Sequence, residues 1–237
     1  MKKKDKKINK SLDSIYKFMA DNYQGNWSYR WEGVPWMQKN TVRNKKESIL
    51  AHQWACVGFW LTLKDVCPAL NALVNTQEIY ERVWSHDMGE TFVGDISQFR
   101  QINGDGKDKH CLEQQEIERI TKFIHPKTSR RLLGYFKEFE KPIEKITKLE
   151  ALVSKLIDTL QGNHFALVFA EGLGSSKNKD SVKKIVERTT VRTALQLLKV
   201  LKQKGHTKAY KEILSVVNHH LDYYRKLGIK IDFDYSK

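Results

Sequence analysis

The chain has 237 residues, enough for one substantial hydrophobic core, and 42 lysines and arginines against 28 aspartates and glutamates give it a formal net charge of +14. This charge favours an anionic partner, which is a nucleotide, a nucleic acid or an acidic surface. No run of about 18 apolar residues occurs, and no apolar segment follows the lysine-rich start. The sequence therefore indicates neither a membrane span nor a secretory signal, and we expect a cytoplasmic protein.

Apolar residues recur at helical spacing along most of the chain, which contains only 4 prolines. The pattern predicts an all-α protein without strands. Eight helices are expected, at about residues 11–23, 46–65, 76–87, 112–124, 128–139, 146–170, 181–204 and 207–227.

Three stretches rich in turn residues, 24–44, 101–109 and 172–180, are predicted to be loops. The first, "QGNWSYRWEGVPWMQKNTVRN", is unusually aromatic, so its rings either stack on a base or cover the helical core. The chain has three cysteines without paired metal-binding spacing, and Cys56, in an apolar stretch, is interpreted as a small core residue.

Titratable residues interrupt three of the predicted apolar helix faces. His52 shares an inward face with Cys56, and His86, Asp87 and Glu90 share a face in the next helix. A later helix carries Asp158 between the apolar residues Ile157 and Leu160. Taken alone, an inward histidine is usually a hydrogen-bonded core residue.

Taken together, these residues point to a metal. Buried carboxylates that converge from several helices need compensation, and a divalent cation supplies it. Two imidazoles and two carboxylates suit Mn, Fe, Co, Ni or Zn better than Ca or an iron-sulfur cluster.

The order of these residues resembles the H…HD…D signature of the HD-domain metal-dependent phosphohydrolases. "RW" at 30–31, "ES" at 47–48 before His52, "HDMGETFVGDI" at 86–96 and "KLIDTLQG" at 155–162 are similar to blocks of the bacterial 5'-deoxynucleotidase branch. The resemblance implies a single HD-type helical bundle with a core over about 12–200. The residues from about 205 to 237 are expected to form a C-terminal helical extension.

The resemblance also implies roles for individual residues. One divalent metal ion (Co, Mn, Fe, Ni, Zn or Mg) would be bound by four ligands, and the neighbouring residues would serve the reaction. Glu90 would orient or deprotonate the attacking water, Asp95 and Arg30 would contact the scissile phosphate or its leaving group, and Trp31 would shape the nucleoside pocket. The implied ligands are His52, His86, Asp87 and Asp158.

The implied reaction is hydrolysis of the phosphate ester of a (deoxy)nucleoside 5'-monophosphate by a metal-activated water, without a covalent enzyme intermediate. A small nucleotide is thus the expected partner, and neither nucleic acid nor a membrane is expected to bind. A homodimer is implied by the resemblance alone. Two alternatives stay open. One is a deoxynucleoside triphosphate triphosphohydrolase with the same metal site, and the other is a non-catalytic module that binds nucleotides or nucleic acid.

Two further arginines have open roles. Arg43, four residues before Glu47, is interpreted as a phosphate contact or as a solvated loop residue. The "GD" motif is followed by "ISQFRQ", where the similar enzymes carry a proline-rich segment ending in lysine. Arg100 either replaces that cation or lies at the surface.

Overall fold

The computed structural model describes residues 3–37 and 46–235, with side chains from Asp13 onwards. Over these ranges the protein is all-α, as predicted. Strands are absent from the described residues, where an isolated bridge pairs Tyr29 with Ser48. None of the helices in these ranges combines the length and the apolar character that a membrane span requires.

The helices of the described ranges are numbered in chain order. They are α1 (Lys3–Tyr23), α2 (Ile49–Val66), α3 (Pro68–Asn71), α4 (Thr76–Ser85), α5 (Glu90–Val93), α6 (Gln98–Ile102), α7 (Lys109–Thr121), α8 (Pro126–Phe139), α9 (Leu149–Phe169), α10 (Lys179–Val186), α11 (Arg192–Gln203) and α12 (Thr207–Lys226).

Most predicted helices are found with ends shifted by a few residues, but α1 begins at Lys3, eight residues before the start predicted at Ser11. Two further differences concern the helix interiors and the short helices. The helix expected over 181–204 is interrupted by a π-helical turn, Glu187–Val191, between α10 and α11. Helices α3, α5 and α6 have four or five residues each, which is too short for a helical repeat to be visible in the sequence.

The centre of the molecule is α9, which packs against α2, α4, α8, α11 and α12. It is apolar on nearly all sides, and a helix of this kind must be surrounded by other elements. Leu152, Leu156, Ile157 and Leu160 are at most 1% exposed. The polar residues of α9 therefore lie inside the bundle and need partners there.

The last helix belongs to the same core. Ile213, Val217 and Leu221 of α12 are fully buried against α11 and α3. The hydroxyl of Tyr224 donates a hydrogen bond to the backbone oxygen of Asn163 on α9, at 2.9 Å. A smaller apolar cluster joins α1, α7 and α8 on the other side of the molecule.

Candidate active site

Three helices bring the histidines and aspartates together. Helix α2 begins after Ser48, whose hydroxyl accepts a hydrogen bond from the backbone N–H of Ala51, and this cap places His52 one turn into the bundle. His86 and Asp87 directly follow the last residue of α4, and Asp158 lies in the middle of α9.

The four side chains converge on one point. The Nε2 atom of His52 lies 3.1 Å from Nε2 of His86, 3.1 Å from Oδ1 of Asp158 and 3.6 Å from Oδ2 of Asp87. The Nε2 atom of His86 lies 3.3 Å from the same Asp87 oxygen and 3.5 Å from the same Asp158 oxygen. Ligands bound to one ion at about 2.1 Å are separated by about 3.0 to 3.4 Å, so these spacings fit a shared cation.

Hydrogen bonds to the opposite ring nitrogens support that interpretation. Nδ1 of His86 donates to the backbone oxygen of Val83 at 2.8 Å, and Nδ1 of His52 donates to Oε1 of Gln161. With Nδ1 protonated, each neutral imidazole directs its Nε2 lone pair at the same point. Two lone pairs 3.1 Å apart repel each other unless a proton or a cation lies between them, so the donor set fits a metal ion.

The charges of the cluster are strongly coupled. Burial acts to lower the pKa of His86, but Asp87 and Asp158 together raise it to about 10. Burial acts to raise the pKa of Asp158, but hydrogen bonds from His52 and His86 hold that pKa well below its usual range. The carboxylates are therefore anionic at neutral pH, and they favour positive charge at the imidazoles or in the space between them.

Glu47 and Gln161, for which no role was predicted, surround this cluster. Glu47 accepts hydrogen bonds from Nε1 of Trp31 at 2.8 Å and from Nε2 of Gln161 at 2.9 Å, and Gln161 in turn accepts from His52. Glu47 and Gln161 both fall in sequence blocks that carry the resemblance. Their role in orienting His52 depends on contacts between α9 and the start of α2, which spacing along the chain does not reveal.

Cys56 is a further neighbour of the cluster. It is fully buried, as expected for a core residue, but its Sγ atom lies 3.6 Å from Nε2 of His52. His52, Cys56 and His86 place one potential metal-binding atom each within 4.8 Å of the others. A thiol at this position adds a soft donor to the imidazoles and carboxylates.

Arg30 lies on the open side of the cluster. Its Nη1 atom donates to Oδ2 of Asp87 at 2.6 Å, and its Nη2 atom is 3.9 Å from Oδ1 of Asp158. The neighbouring Trp31 has φ = 68°, in the left-handed region that a tryptophan rarely adopts. Its backbone N–H donates to Oδ2 of Asp95 at 3.2 Å, and its ring stacks on Phe165.

A cavity of about 420 Å³ opens from the cluster. His86 and Asp87 lie at one end of it, while His52 is buried beneath. The structure thus brings every residue of the expected site to this region except Arg43, which lies outside the described residues. The expected residues that line the cavity are Arg30, Trp31, His86, Asp87, Glu90, Asp95 and Asp158.

Glu90 faces the cavity and is paired with a lysine. Its Oε1 atom accepts a hydrogen bond from Nζ of Lys109 at 2.7 Å, whereas its Oε2 atom is buried without a hydrogen-bond partner among the described residues. Burial and the charge of Asp87 raise the pKa of Glu90 well above its usual value. A carboxylate in this state accepts a proton more readily than a solvated one.

Lys109, at the start of α7, supplies a cation to the cavity, whereas Arg100 does not. Arg100 instead forms an ion pair with Asp105 at 2.8 Å, with both side chains about half exposed, and it does not line the cavity. Lys109 was missed because it belongs to a loop-like sequence, "GDGKDK". Its neighbour His110 also lines the cavity, where its Nδ1 atom is 2.7 Å from Oε2 of Glu140.

Comparisons with known proteins agree with this geometry. The profile of the family described as "HD domain" matches residues 35–196. The fold is similar to the crystal structure of a "predicted metal-dependent phosphohydrolase" from Magnetospirillum magnetotacticum MS-1, with a TM-score of 0.64 and 14% sequence identity. That match covers 94% of this chain and 96% of the other. A comparison with curated proteins gave no significant match.

Proposed function

Since the chain belongs to the HD-domain family, we propose that it is a metal-dependent phosphohydrolase that acts on a small nucleotide, a (deoxy)nucleoside 5'-monophosphate. One observation carries this proposal. Two imidazole nitrogens lie 3.1 Å from each other and 3.1 to 3.6 Å from two carboxylate oxygens, next to a cavity of substrate size.

His52, His86, Asp87 and Asp158 would hold one divalent ion. Their mixed nitrogen and oxygen donors suit Mn, Fe, Co, Ni or Zn. When bound, such an ion lowers the pKa of a coordinated water and withdraws charge from a phosphoryl oxygen.

The protein's own side chains supply the remaining chemistry. The guanidinium of Arg30, directed at the cluster, is suited to bidentate contact with the oxygens of the scissile phosphate. Glu90 would accept the proton of the attacking water at its unpaired Oε2 atom, while Lys109 holds Oε1. Asp95 would act by fixing the backbone of Trp31, and hence the wall of the cavity.

The cavity suits a nucleotide in size and lining. Its volume of about 420 Å³ is within the range of small-molecule sites. Trp31 supplies an aromatic surface for a base, and Thr159 and Asn163 of α9 supply polar contacts for a sugar. A 5'-triphosphate, cleaved at its α-phosphorus, is the alternative substrate, because the same ligand set serves both reactions.

The reaction is tested with a panel of nucleoside mono-, di- and triphosphates in the presence of Mn or Co. We expect inorganic phosphate to be released from 5'-monophosphates. Release of inorganic triphosphate would select the alternative substrate, and absence of turnover with every nucleotide and metal would contradict the proposal.

Two variants separate metal binding from proton transfer. We expect His86→Ala to lose bound metal, because a ligand is removed, whereas Glu90→Gln retains metal and loses about 10²- to 10⁴-fold in kcat. Metal content is measured by elemental analysis and kcat by phosphate release. Glu118→Gln, at an exposed position of α7, is the matched control. Equal loss of metal in His86→Ala and Glu90→Gln would contradict the assigned roles.

A further inference from the structure

The cavity extends well beyond the candidate metal centre. Asp158, Thr159, Gly162 and Asn163 form its floor along α9. Asp158 and Asn163 are five residues apart, which corresponds to about 7.5 Å along a helix axis. The far end of the floor therefore lies beyond the reach of a single phosphate bound at the metal centre.

A wall rich in arginine and threonine lies at that end of the floor. It consists of one face of α10, the π-helical turn Glu187–Val191 and the start of α11. The residues of this face that line the cavity are Ile185, Arg188, Thr189, Arg192 and Thr193. Two arginines thus line the cavity at a place where neither the HD signature nor the metal site requires a charge.

Among the arginines that line the cavity, Arg188 differs from Arg30 and Arg192 in having no carboxylate partner among the described residues. Arg30 is paired with Asp87, Lys109 with Glu90, and Arg192 with Glu144. The adjacent Glu187 contacts other groups: its Oε1 atom accepts a hydrogen bond from the backbone N–H of Asp232 and lies 3.5 Å from Nζ of Lys183.

The turn that carries Arg188 is held firmly to the cavity floor. The side-chain amide of Asn163 donates to the hydroxyls of Thr189 and Thr190, at 3.2 and 2.8 Å. Thr189 in turn donates to the backbone oxygen of Ile185 at 2.7 Å, and Thr190 is fully buried. Insertions of this kind into α-helices occur frequently at functional sites, because they redirect the side chains of one turn.

We propose that Arg188 is a specificity-determining residue that binds a second phosphate group of the substrate, at the end of the cavity opposite the metal centre. The inference rests on the proposed function, and it adds that nucleotides with a phosphate besides the scissile one bind more tightly than simple 5'-monophosphates. The guanidinium of Arg188, exposed at the cavity wall and without a carboxylate partner among the described residues, is suited to bidentate phosphate contact.

Two kinds of nucleotide carry a second phosphate separated from the scissile one. In a nucleoside 3',5'-bisphosphate it is a separate ester on the sugar, and in a 5'-triphosphate it belongs to the anhydride chain. The chemistry recognised by Arg188 is the same in both. Only the path from the scissile phosphorus to the second phosphate differs.

The test compares wild type with Arg188→Gln, fully loaded with Mn, on a nucleoside 5'-monophosphate, its 3',5'-bisphosphate and its 5'-triphosphate. Loss of one charge-assisted contact is expected to raise KM about tenfold or more for the substrate with the matching second phosphate. KM for the monophosphate and kcat for all three should stay within about twofold. Arg130→Gln, an exposed arginine of α8 outside the cavity, is the control.

Each outcome decides the inference. A KM effect confined to the bisphosphate identifies a sugar phosphate, and one confined to the triphosphate identifies the anhydride chain. Equal effects on all three substrates, or no effect on any, would overturn the assignment of Arg188.

Binding without catalysis separates this inference from the proposed function. In the presence of EDTA, calorimetry measures the affinity of wild type and Arg188→Gln for the 3',5'-bisphosphate and the triphosphate. If no nucleotide is hydrolysed but the variant binds one of them at least about tenfold more weakly, the function is wrong and the subsite stands. If nucleotides are hydrolysed and binding is unchanged, the subsite is wrong and the function stands.

Discussion

At the scale of single residues, the candidate metal centre depends on the side chains that hold its histidines. His52 can present the lone pair of Nε2 to a metal only while its proton is on Nδ1, and Gln161 Oε1 accepts the hydrogen bond from that Nδ1–H group. Gln161 is itself oriented by Glu47, which also accepts from Trp31. The metal site and the wall of the substrate cavity are thus connected through one carboxylate.

Replacing this orienting amide should weaken metal binding without removing a ligand. We expect Gln161→Leu to reduce metal affinity about 10- to 100-fold, because the imidazole of His52 loses the acceptor that fixes its tautomer. A competition titration against a metal chelator measures the effect. Gln203→Leu, at an exposed position of α11, is the control. Unchanged affinity in Gln161→Leu would show that His52 is held by packing alone.

The sequence was more informative about the ligands than about these supporting residues. His52, His86, Asp87 and Asp158 stand out because each breaks an apolar helix face. Glu47 and Lys109 break no such pattern, since they lie in polar or loop-like sequence, and Gln161 begins the polar run "QGNH" at 161–164 within α9. Their importance depends on which helices meet, and that is fixed by packing over the whole chain.

At the scale of helices, the close approach of α5 and α7 sets the position of Glu90. A Cβ atom at Gly89 would lie 2.7 Å from the backbone oxygen of Glu113 and 3.0 Å from its Cα atom. The backbone of Gly89 itself is ordinary, with φ = −64°. A glycine is needed here because α7 lies against it, and this contact brings Lys109 and Glu90 together.

Adding one methyl group should therefore disturb the active site as well as the packing. We expect Gly89→Ala to lower the free energy of unfolding by about 1 to 3 kcal/mol and to reduce kcat, because α5 must move away from α7. Urea unfolding and phosphate release measure the two effects.

Gly134→Ala is the matched control for this prediction. Gly134 lies inside α8, and a Cβ atom there meets no atom within 4 Å. The substitution should raise stability by about 0.5 to 1 kcal/mol, since alanine is the better helix former. If Gly89→Ala behaves like Gly134→Ala, the proposed steric constraint at α5 is wrong.

Helix order was predictable from apolar periodicity, whereas irregular elements were not. The long helices of the bundle repeat their apolar residues over several turns. The π-helical turn Glu187–Val191 adds a fraction of a turn within a continuous apolar pattern, so the sequence predicts one uninterrupted helix there. Its presence alters which side chains reach the cavity, and Arg188 is among them.

At the scale of the whole molecule, the net charge of +14 must be reconciled with a cavity that contains many carboxylates. The excess positive charge is distributed over the chain, whereas the carboxylates of Asp87 and Asp158 lie together where a cation is expected. An anionic nucleotide is therefore attracted by the long-range field and meets the negative charge of Asp87 and Asp158 at the metal centre. A bound metal ion would remove that local repulsion.

This arrangement predicts a salt dependence that distinguishes an enzyme from a nucleic-acid binding module. Between about 0.05 and 0.5 M KCl, kcat/KM for a nucleotide should fall several-fold, because screening weakens long-range attraction. At saturating substrate, kcat should stay nearly constant, since the contacts at the reacting phosphate are short. Constant kcat/KM would contradict steering by the net charge.

A steep log-log salt slope for oligonucleotide binding, together with no turnover of any nucleotide, would instead identify a binding module.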